Sequence, residues 1–197
     1  VFCTAYDAHA LSAFDAAVRE ALSFARKRPE ETLIVVLADH ETGGMTLDDR
    51  TDAENIFAVL SAQKGSSEFF DGKIAAFRKG SRRTFEDMLP MIRETFGLHA
   101  LSDGELEELR AAFGQSMKPK DQRKRDREYL RRYGPYEPLS VTATRILGRK
   151  AGIVWSSFGH SGAAVPVFAH GAGAHRFAGE YDNTDIARNL MDLLPSR

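Results

Sequence analysis

An apolar run that leads directly into Asp39 and His40 is the feature that most constrains the fold of this chain. Residues 32–38 are Thr-Leu-Ile-Val-Val-Leu-Ala, and Gly43 and Gly44 follow shortly after the two polar residues. Such a run is typical of a strand buried on both faces of a parallel sheet. Functional side chains collect at the carboxyl ends of strands in open α/β sheets.

Two interpretations of Asp39 and His40 follow from these residues alone. In the first, Asp39 caps a backbone N–H in the turn that ends the strand, which is the commoner role of such an aspartate. In the second, the carboxylate and the imidazole bind a metal, because both are good zinc ligands. The glycines at 43 and 44 let the backbone turn sharply beneath the pair in either case.

Composition limits the classes of protein to consider. The 197 residues are 43% hydrophobic, which is enough for one or two domains with a sizeable core. The net charge is −1, so no overall field attracts nucleic acid or anionic lipid. No apolar stretch reaches the ~18–20 residues of a membrane span. Cys3 is the only cysteine, which excludes an internal disulfide.

Helical periodicity dominates the first three quarters of the chain. Apolar side chains recur every three or four residues over about 8–28, before Pro29, at Leu11, Phe14, Val18 and Leu22. Ser102 and Glu105 form a capping-box pattern. We predict further helices over about 52–63, 67–79, 83–97, 103–115 and 138–150. A helix before the strand at 32–38 is half of a βαβ unit, so we expect another strand before Val1, and we interpret the chain as a fragment.

The pattern of a sheet returns after residue 150. Ile153–Trp155 is apolar, a loop with His160 follows, and Val165–Ala169 is a second apolar run, before a predicted helix at about 184–194. The sequence therefore predicts an α/β core over 1–48 and 150–197. A mostly helical insertion over 49–149, which adds no strand to the main sheet, interrupts this core.

Several motifs resemble one known family. Leu33–Leu47 is similar to the distal metal motif of alkaline phosphatases, and His160-Ser161-Gly162 is similar to their C-terminal metal histidine, where a threonine usually stands at the second position. The resemblance continues through Val165–Ala169, Gly171–Ala174 and Tyr181–Ala187. It covers about 1–48 and 150–197 and is weak across 49–149.

The resemblance implies part of a three-layer α/β/α alkaline phosphatase-like core, of the bacterial type, with a helical insertion. It implies a metal-dependent enzyme that hydrolyses phosphate monoesters through a phosphoserine intermediate, with two zinc ions and one magnesium. Asp39 and His40 would hold the zinc that activates the serine, and His160 would bind the other zinc. A small phosphomonoester substrate, a homodimer of the intact enzyme and a periplasmic or secreted location are also implied.

The same resemblance places the remaining machinery upstream of Val1. The family's Asp-x-x-x-His zinc pair precedes a helix similar to the one that contains Phe14-Asp15-Ala16-Ala17-Val18. The nucleophilic serine, a bridging aspartate and the magnesium ligands also find no match here. We therefore assign no catalytic residue to this chain and expect it to be inactive alone.

Other candidate residues have simpler explanations. The remaining histidines lack ligand spacing and are expected to be structural or exposed: His9, His99, His170 and His175. Glu41 could orient His40 or be a solvated loop charge. The stretch Lys118–Arg132 is either an anion or nucleic-acid patch or a solvated segment, and we favour the solvated segment because acidic residues elsewhere cancel its charge.

Two alternative functions remain on sequence grounds. The first is another metal-dependent phosphohydrolase of the same superfamily, such as a phosphodiesterase. The second is a non-catalytic α/β domain whose helical insert binds a partner. Zinc affinity separates the second from the first, because a pure interaction module has no reason to bind zinc.

Overall fold

The computed structural model describes residues 4–48, 52–81 and 84–194, and it forms two compact units. The described part of the first unit lies within residues 4–9 and 43–159, and that of the second within residues 10–42 and 160–194. Cys3 and the first residue of the helix predicted over 83–97 lie outside the described ranges.

The described residues form eight α-helices and four short strands. In chain order they are α1 (Thr4–Ala25), β1 (Leu33–Val36), β2 (Met45–Leu47), α2 (Ala53–Ser61), α3 (Ser67–Phe77), α4 (Phe85–Phe96), α5 (Asp103–Ser116), α6 (Arg127–Tyr133), α7 (Pro138–Lys150), β3 (Ile153–Trp155), β4 (Phe168–Gly171) and α8 (Asn183–Leu193). Short 3₁₀ turns occur at Lys120–Gln122 and Ala174–Phe177.

The helix predictions are confirmed to within a few residues, and the helix starts show why. Ser102 accepts a hydrogen bond from the N–H of Glu105, and the Glu105 carboxylate accepts one from the N–H of Ser102. This reciprocal pair satisfies two of the donors that a helix N-terminus leaves free. Thr84 and Asp87 cap α4 in the same way. Helix α6 was not predicted, although Asp126 caps it through the N–H of Tyr129.

The first unit packs around α7. This helix contacts α3, α4, α5, α6 and β3, and most of its residues are buried. Fully buried side chains from these elements fill the core, among them Phe70, Ile74, Met88, Ile92, Phe96, Leu109, Leu139 and Ile146. The described part of 52–149 is helical and contains no strand. The division of the chain at 49 and 150 stays a prediction.

The strands correct two expectations about the sheet. β1 pairs antiparallel with β4, from Leu33 opposite Gly171 to Val36 opposite Phe168, and β1 is half-buried. It was expected to be a parallel strand buried on both faces. β2 and β3 form a separate antiparallel pair in the first unit, so Ile153–Trp155 does not join β1. The mixture of helices and small sheets confirms the α/β class.

The second predicted strand lies three residues later than expected. The apolar run Val165–Ala169 suggested a strand there, but β4 is Phe168–Gly171. Pro166 has no N–H to donate to a ladder, which explains why pairing begins after it. No helix in the described ranges is both long and apolar enough to cross a lipid bilayer.

Gly97 ends α4 in the left-handed conformation, with φ 68°. A Cβ at this position would lie 2.9 Å from the carbonyl carbon and oxygen of Ala62. We expect Gly97→Ala to lower the free energy of unfolding by about 2–4 kcal/mol, because backbone strain and overpacking add. Urea denaturation measures this. The control is Gly114→Ala within α5, where an added Cβ has no neighbour within 4 Å. This substitution should raise the free energy of unfolding by up to about 1 kcal/mol. Equal effects of the two substitutions would contradict the prediction.

Candidate metal centre

The antiparallel pairing of β1 with β4 brings two distant loops to one end of a ladder. Val36 ends β1 and lies opposite Phe168, which begins β4. The segment that leaves β1 therefore starts beside the segment that enters β4. Asp39 and His40 lie on the first segment and His160 on the second. We expected His160 to follow a strand of the same sheet, but it precedes one.

The two histidines are in contact. The ring centroids of His40 and His160 are 4.2 Å apart, and the ring planes are inclined by only 28°. Nitrogen lone pairs lie in the plane of each ring. Two nearly parallel, stacked planes do not meet within the ~2 Å length of an imidazole–zinc bond. In this arrangement the rings suit two neighbouring ions rather than one shared ion.

A hydrogen bond at Nδ1 leaves Nε2 of His40 as the nitrogen that could bind a metal ion. Its Nδ1 lies 2.8 Å from the carbonyl oxygen of Glu41. A carbonyl oxygen can only accept, so the proton belongs on Nδ1 and leaves a lone pair on Nε2 of the neutral ring. This is the orientation that metal-binding histidines usually take from a backbone carbonyl.

Asp39 completes a pair of donor atoms with His40. Its Oδ2 lies 3.4 Å from Nε2 of His40, and its side chain is 86% exposed. Two ligand atoms on a tetrahedral zinc with ~2.0–2.1 Å bonds are separated by about 3.4 Å. The other carboxylate oxygen accepts a hydrogen bond of 3.1 Å from the backbone N–H of His40, which fixes the carboxylate beside the ring. The donor set therefore fits a zinc ion, with two protein ligands.

Glu41 joins the two loops. Its Oε2 accepts hydrogen bonds from the backbone N–H of Ser161, at 3.0 Å, and from the Ser161 hydroxyl, at 2.8 Å. The Glu41 carboxylate thus orients Ser161, the neighbour of His160, and the Glu41 carbonyl contacts His40. Ser161 also accepts from the N–H of Ala163.

A cavity of about 730 Å³ opens beside Asp39 and His40. Its wall continues through residues 161–167 to the start of α8, where Asp182 caps the helix. Hydrogen bonds from the backbone and hydroxyl of Thr184 hold the pKa of Asp182 below its usual value. The volume is in the range of small-molecule sites. Tyr181–Asn183 and Ile186 line this cavity and belong to the Tyr181–Ala187 segment that carries part of the family resemblance.

The remaining candidates lie elsewhere. His170 is within β4 and His175 within a 3₁₀ turn, and neither lines this cavity. The side chain of His9 is outside the described residues. In the part of the chain that the structure describes, no three His, Cys, Asp or Glu side chains are grouped closely enough to hold one ion.

Comparisons with known proteins agree on one family. The family model described as alkaline phosphatase matches residues 4–195. Alkaline phosphatase 3 of Bacillus subtilis (strain 168) is 28% identical over an alignment of 187 positions, which covers 92% of this chain and 34% of that protein. The repressible alkaline phosphatase of Saccharomyces cerevisiae is 23% identical over an alignment of 199 positions, which covers 92% of this chain and 32% of that protein.

A solved structure gives the same result. The crystal structure of a cold-active alkaline phosphatase from a psychrophilic Shewanella matches with a TM-score of 0.59 and 25% identity, over 94% of this chain and 39% of that one. The predicted alkaline phosphatase-like fold is thus confirmed. The chain spans about a third of the length of the curated relatives. Because the family model covers almost the whole sequence, the chain belongs to the alkaline phosphatase family.

Proposed function

We propose that this chain is part of a metal-dependent phosphatase that hydrolyses phosphate monoesters, and that Asp39, His40 and His160 are metal ligands. The observation that carries the proposal is the meeting of His40 and His160, which are 120 positions apart in the sequence and 4.2 Å apart in space. Family membership supports the reaction, and the donor geometry supports the metal.

The geometry favours a pair of ions. The ring centroids of His40 and His160 are 4.2 Å apart, which is close to the ~3.5–4 Å that separates the ions of two-metal hydrolases. Asp39 and His40 together would hold one zinc, and His160 would bind the other. Bound there, zinc supplies a Lewis acid for phosphoryl oxygens.

The residues of this chain have separable tasks in the proposed site. Asp39 contributes negative charge, and His40 a neutral nitrogen whose tautomer the Glu41 carbonyl fixes. Glu41 holds Ser161, and with it the loop that presents His160. The open cavity beside them gives room for a small phosphoester.

The finer features of the reaction are part of the proposal. They are a phosphoserine intermediate, a magnesium ion, a homodimer of the intact enzyme and a periplasmic or secreted location. We assign neither the nucleophile nor a magnesium ligand to the residues described. Their support is membership of the family.

Metal affinity of the full-length protein tests the ligands. We expect His40→Ala and His160→Ala each to weaken zinc binding by more than ~100-fold, because even residues that only orient ligands cost 10–100-fold. Zinc competition with a chromogenic chelator measures the affinity. His99→Ala and His170→Ala are matched controls, which should bind zinc like the unchanged protein. Equal affinity in all four variants would exclude the proposed centre.

A substrate panel tests the reaction. The full-length protein with zinc and magnesium should hydrolyse a chromogenic phosphomonoester much faster than the matching diester. Preference for the diester would favour another phosphohydrolase of the superfamily. Absence of both zinc binding and turnover would favour the non-catalytic interaction domain.

A further inference from the structure

A second cavity, of about 380 Å³, lies in the first unit and is unusually rich in arginine. The C-terminal part of α6 and one side of α7 form its walls. Its lining residues are Glu108, Arg131, Arg132, Tyr133, Thr142, Arg145 and Arg149. All of them belong to the first unit, whereas the metal-ligand candidates belong to the second.

The positive charge of this cavity is only partly balanced. Arg149 forms a two-pronged contact with Glu108, with both oxygens within 3.0 Å of Nη2. Arg132 pairs with Glu128 at 2.8 Å. Among the described residues, Arg131 and Arg145 make no ion pair with a carboxylate. Two guanidinium charges therefore remain at a concave surface.

Arg145 is held in place without an anion. Its guanidinium lies over the ring of Phe158, 4.0 Å from the centroid, and Nη1 donates to the carbonyl oxygen of Arg132 at 3.4 Å. Burial, together with repulsion from Arg149, lowers the pKa of Arg145, as expected for a cation that lacks a counter-charge. Stacking covers a face of the guanidinium and leaves N–H groups at its edge for a ligand.

We propose that this cavity binds a phosphate-bearing dianion through Arg131 and Arg145. Guanidinium groups match the oxygens of a phosphate in a fork, and a phosphate monoester carries about −1.5 to −2 charges at neutral pH. Two unmatched cations complement that charge. Tyr133 and Thr142 line the same cavity, and both side chains carry a hydroxyl of the kind that donates to phosphate oxygens. This site is independent of the proposed metal centre and extends the function beyond it.

A small anion fits better than a nucleic acid. Extended nucleic-acid sites combine a basic groove with exposed aromatic side chains on which bases stack. Here Tyr129 and Tyr133 are buried and pack against each other, with ring centroids 5.0 Å apart. The chain has a net charge of −1, so no overall positive field draws nucleic acid to this cavity.

Calorimetric titration of the full-length protein with inorganic phosphate tests the proposal. The titration is done in a chelating buffer and in a His40→Ala background, so that the metal centre does not contribute. We expect Arg131→Gln and Arg145→Gln each to weaken binding by about tenfold or more, because each removes a charge-assisted contact. Arg145→Lys keeps the charge but loses the fork, and should weaken binding less. Arg110→Gln is the control, since that arginine pairs with Glu86 and lies outside the cavity.

Two further probes define the ligand. Phenylphosphonate has a carbon–phosphorus bond that a phosphatase does not hydrolyse. It should compete with phosphate if the site accepts an organic phosphoryl group. Failure of phenylphosphonate to compete would limit the ligand to the free phosphate ion. Equal phosphate affinity in Arg110→Gln, Arg131→Gln and Arg145→Gln would overturn the proposal. So would an oligonucleotide that binds through these arginines while phosphate neither binds nor competes. Arg131 is exposed on α6, so its substitution tests binding without disturbing the core.

Discussion

Replacing Glu137 by alanine should destabilise the first unit by about 3–5 kcal/mol, which is the usual cost of leaving a buried charge unpaired. The Arg123 and Glu137 side chains are 4% and 5% exposed, and two hydrogen bonds of 2.9 and 3.1 Å join them as a fork. Arg123 also donates to the carbonyl oxygens of Ser116 and Lys118. Loss of the carboxylate strands this guanidinium in the interior.

Urea denaturation followed by circular dichroism measures the effect. Glu128→Ala provides the matched control, because its ion pair with Arg132 is similar in length, at 2.8 Å, but both side chains are more than half exposed. An exposed pair contributes at most about 1 kcal/mol. If Glu137→Ala lowered the free energy of unfolding no more than Glu128→Ala does, water or another group would have to compensate the charge of Arg123.

The second large effect concerns activity. We expect the 197-residue chain, purified alone and supplied with zinc and magnesium, to show no measurable hydrolysis of a phosphomonoester at alkaline pH. In the proposed site Asp39 and His40 would offer two ligand atoms to one ion and His160 would offer one to another, whereas zinc sites in proteins normally use three or four protein ligands. No described cluster adds a third.

A chromogenic assay with the full-length protein as positive control makes this measurement. The chain alone should release no more product than a buffer blank. Robust zinc-dependent turnover, lost in the His40→Ala variant of the same chain, would refute the expectation and would mean that these residues suffice for catalysis.

Local chemistry made the helices predictable from the sequence. The capping pair Ser102 and Glu105 acts over only three residues, and it is present in the structure. The apolar spacing of the other segments is equally local, and those segments are helices in the structure. Helix α6 was not predicted because it lies in a highly charged stretch. Asp126 as a cap, with Tyr129 and Tyr133 four residues apart, was the available signal.

Strand pairing and burial were harder to foresee because they depend on distant partners. An apolar run does not reveal whether its neighbour is parallel, and β1 paired antiparallel with β4. Arg123 was placed in a solvated stretch, but its partner Glu137 lies fourteen positions later and draws it into the interior. The meeting of Asp39, His40 and His160 was anticipated from a resemblance. The Glu41–Ser161 contact was not, because nothing local in either loop specifies it.

The Glu41–Ser161 contact also means that the spacing of His40 and His160 does not depend on the length of the chain between them. Together with the β1–β4 ladder, it closes a loop whose ends are 120 positions apart. The entropy of closing a loop grows only logarithmically, so doubling its length costs about 0.6 kcal/mol. Helices can thus be gained, lost or exchanged within residues 43–159 over evolutionary time while His40 and His160 keep their places.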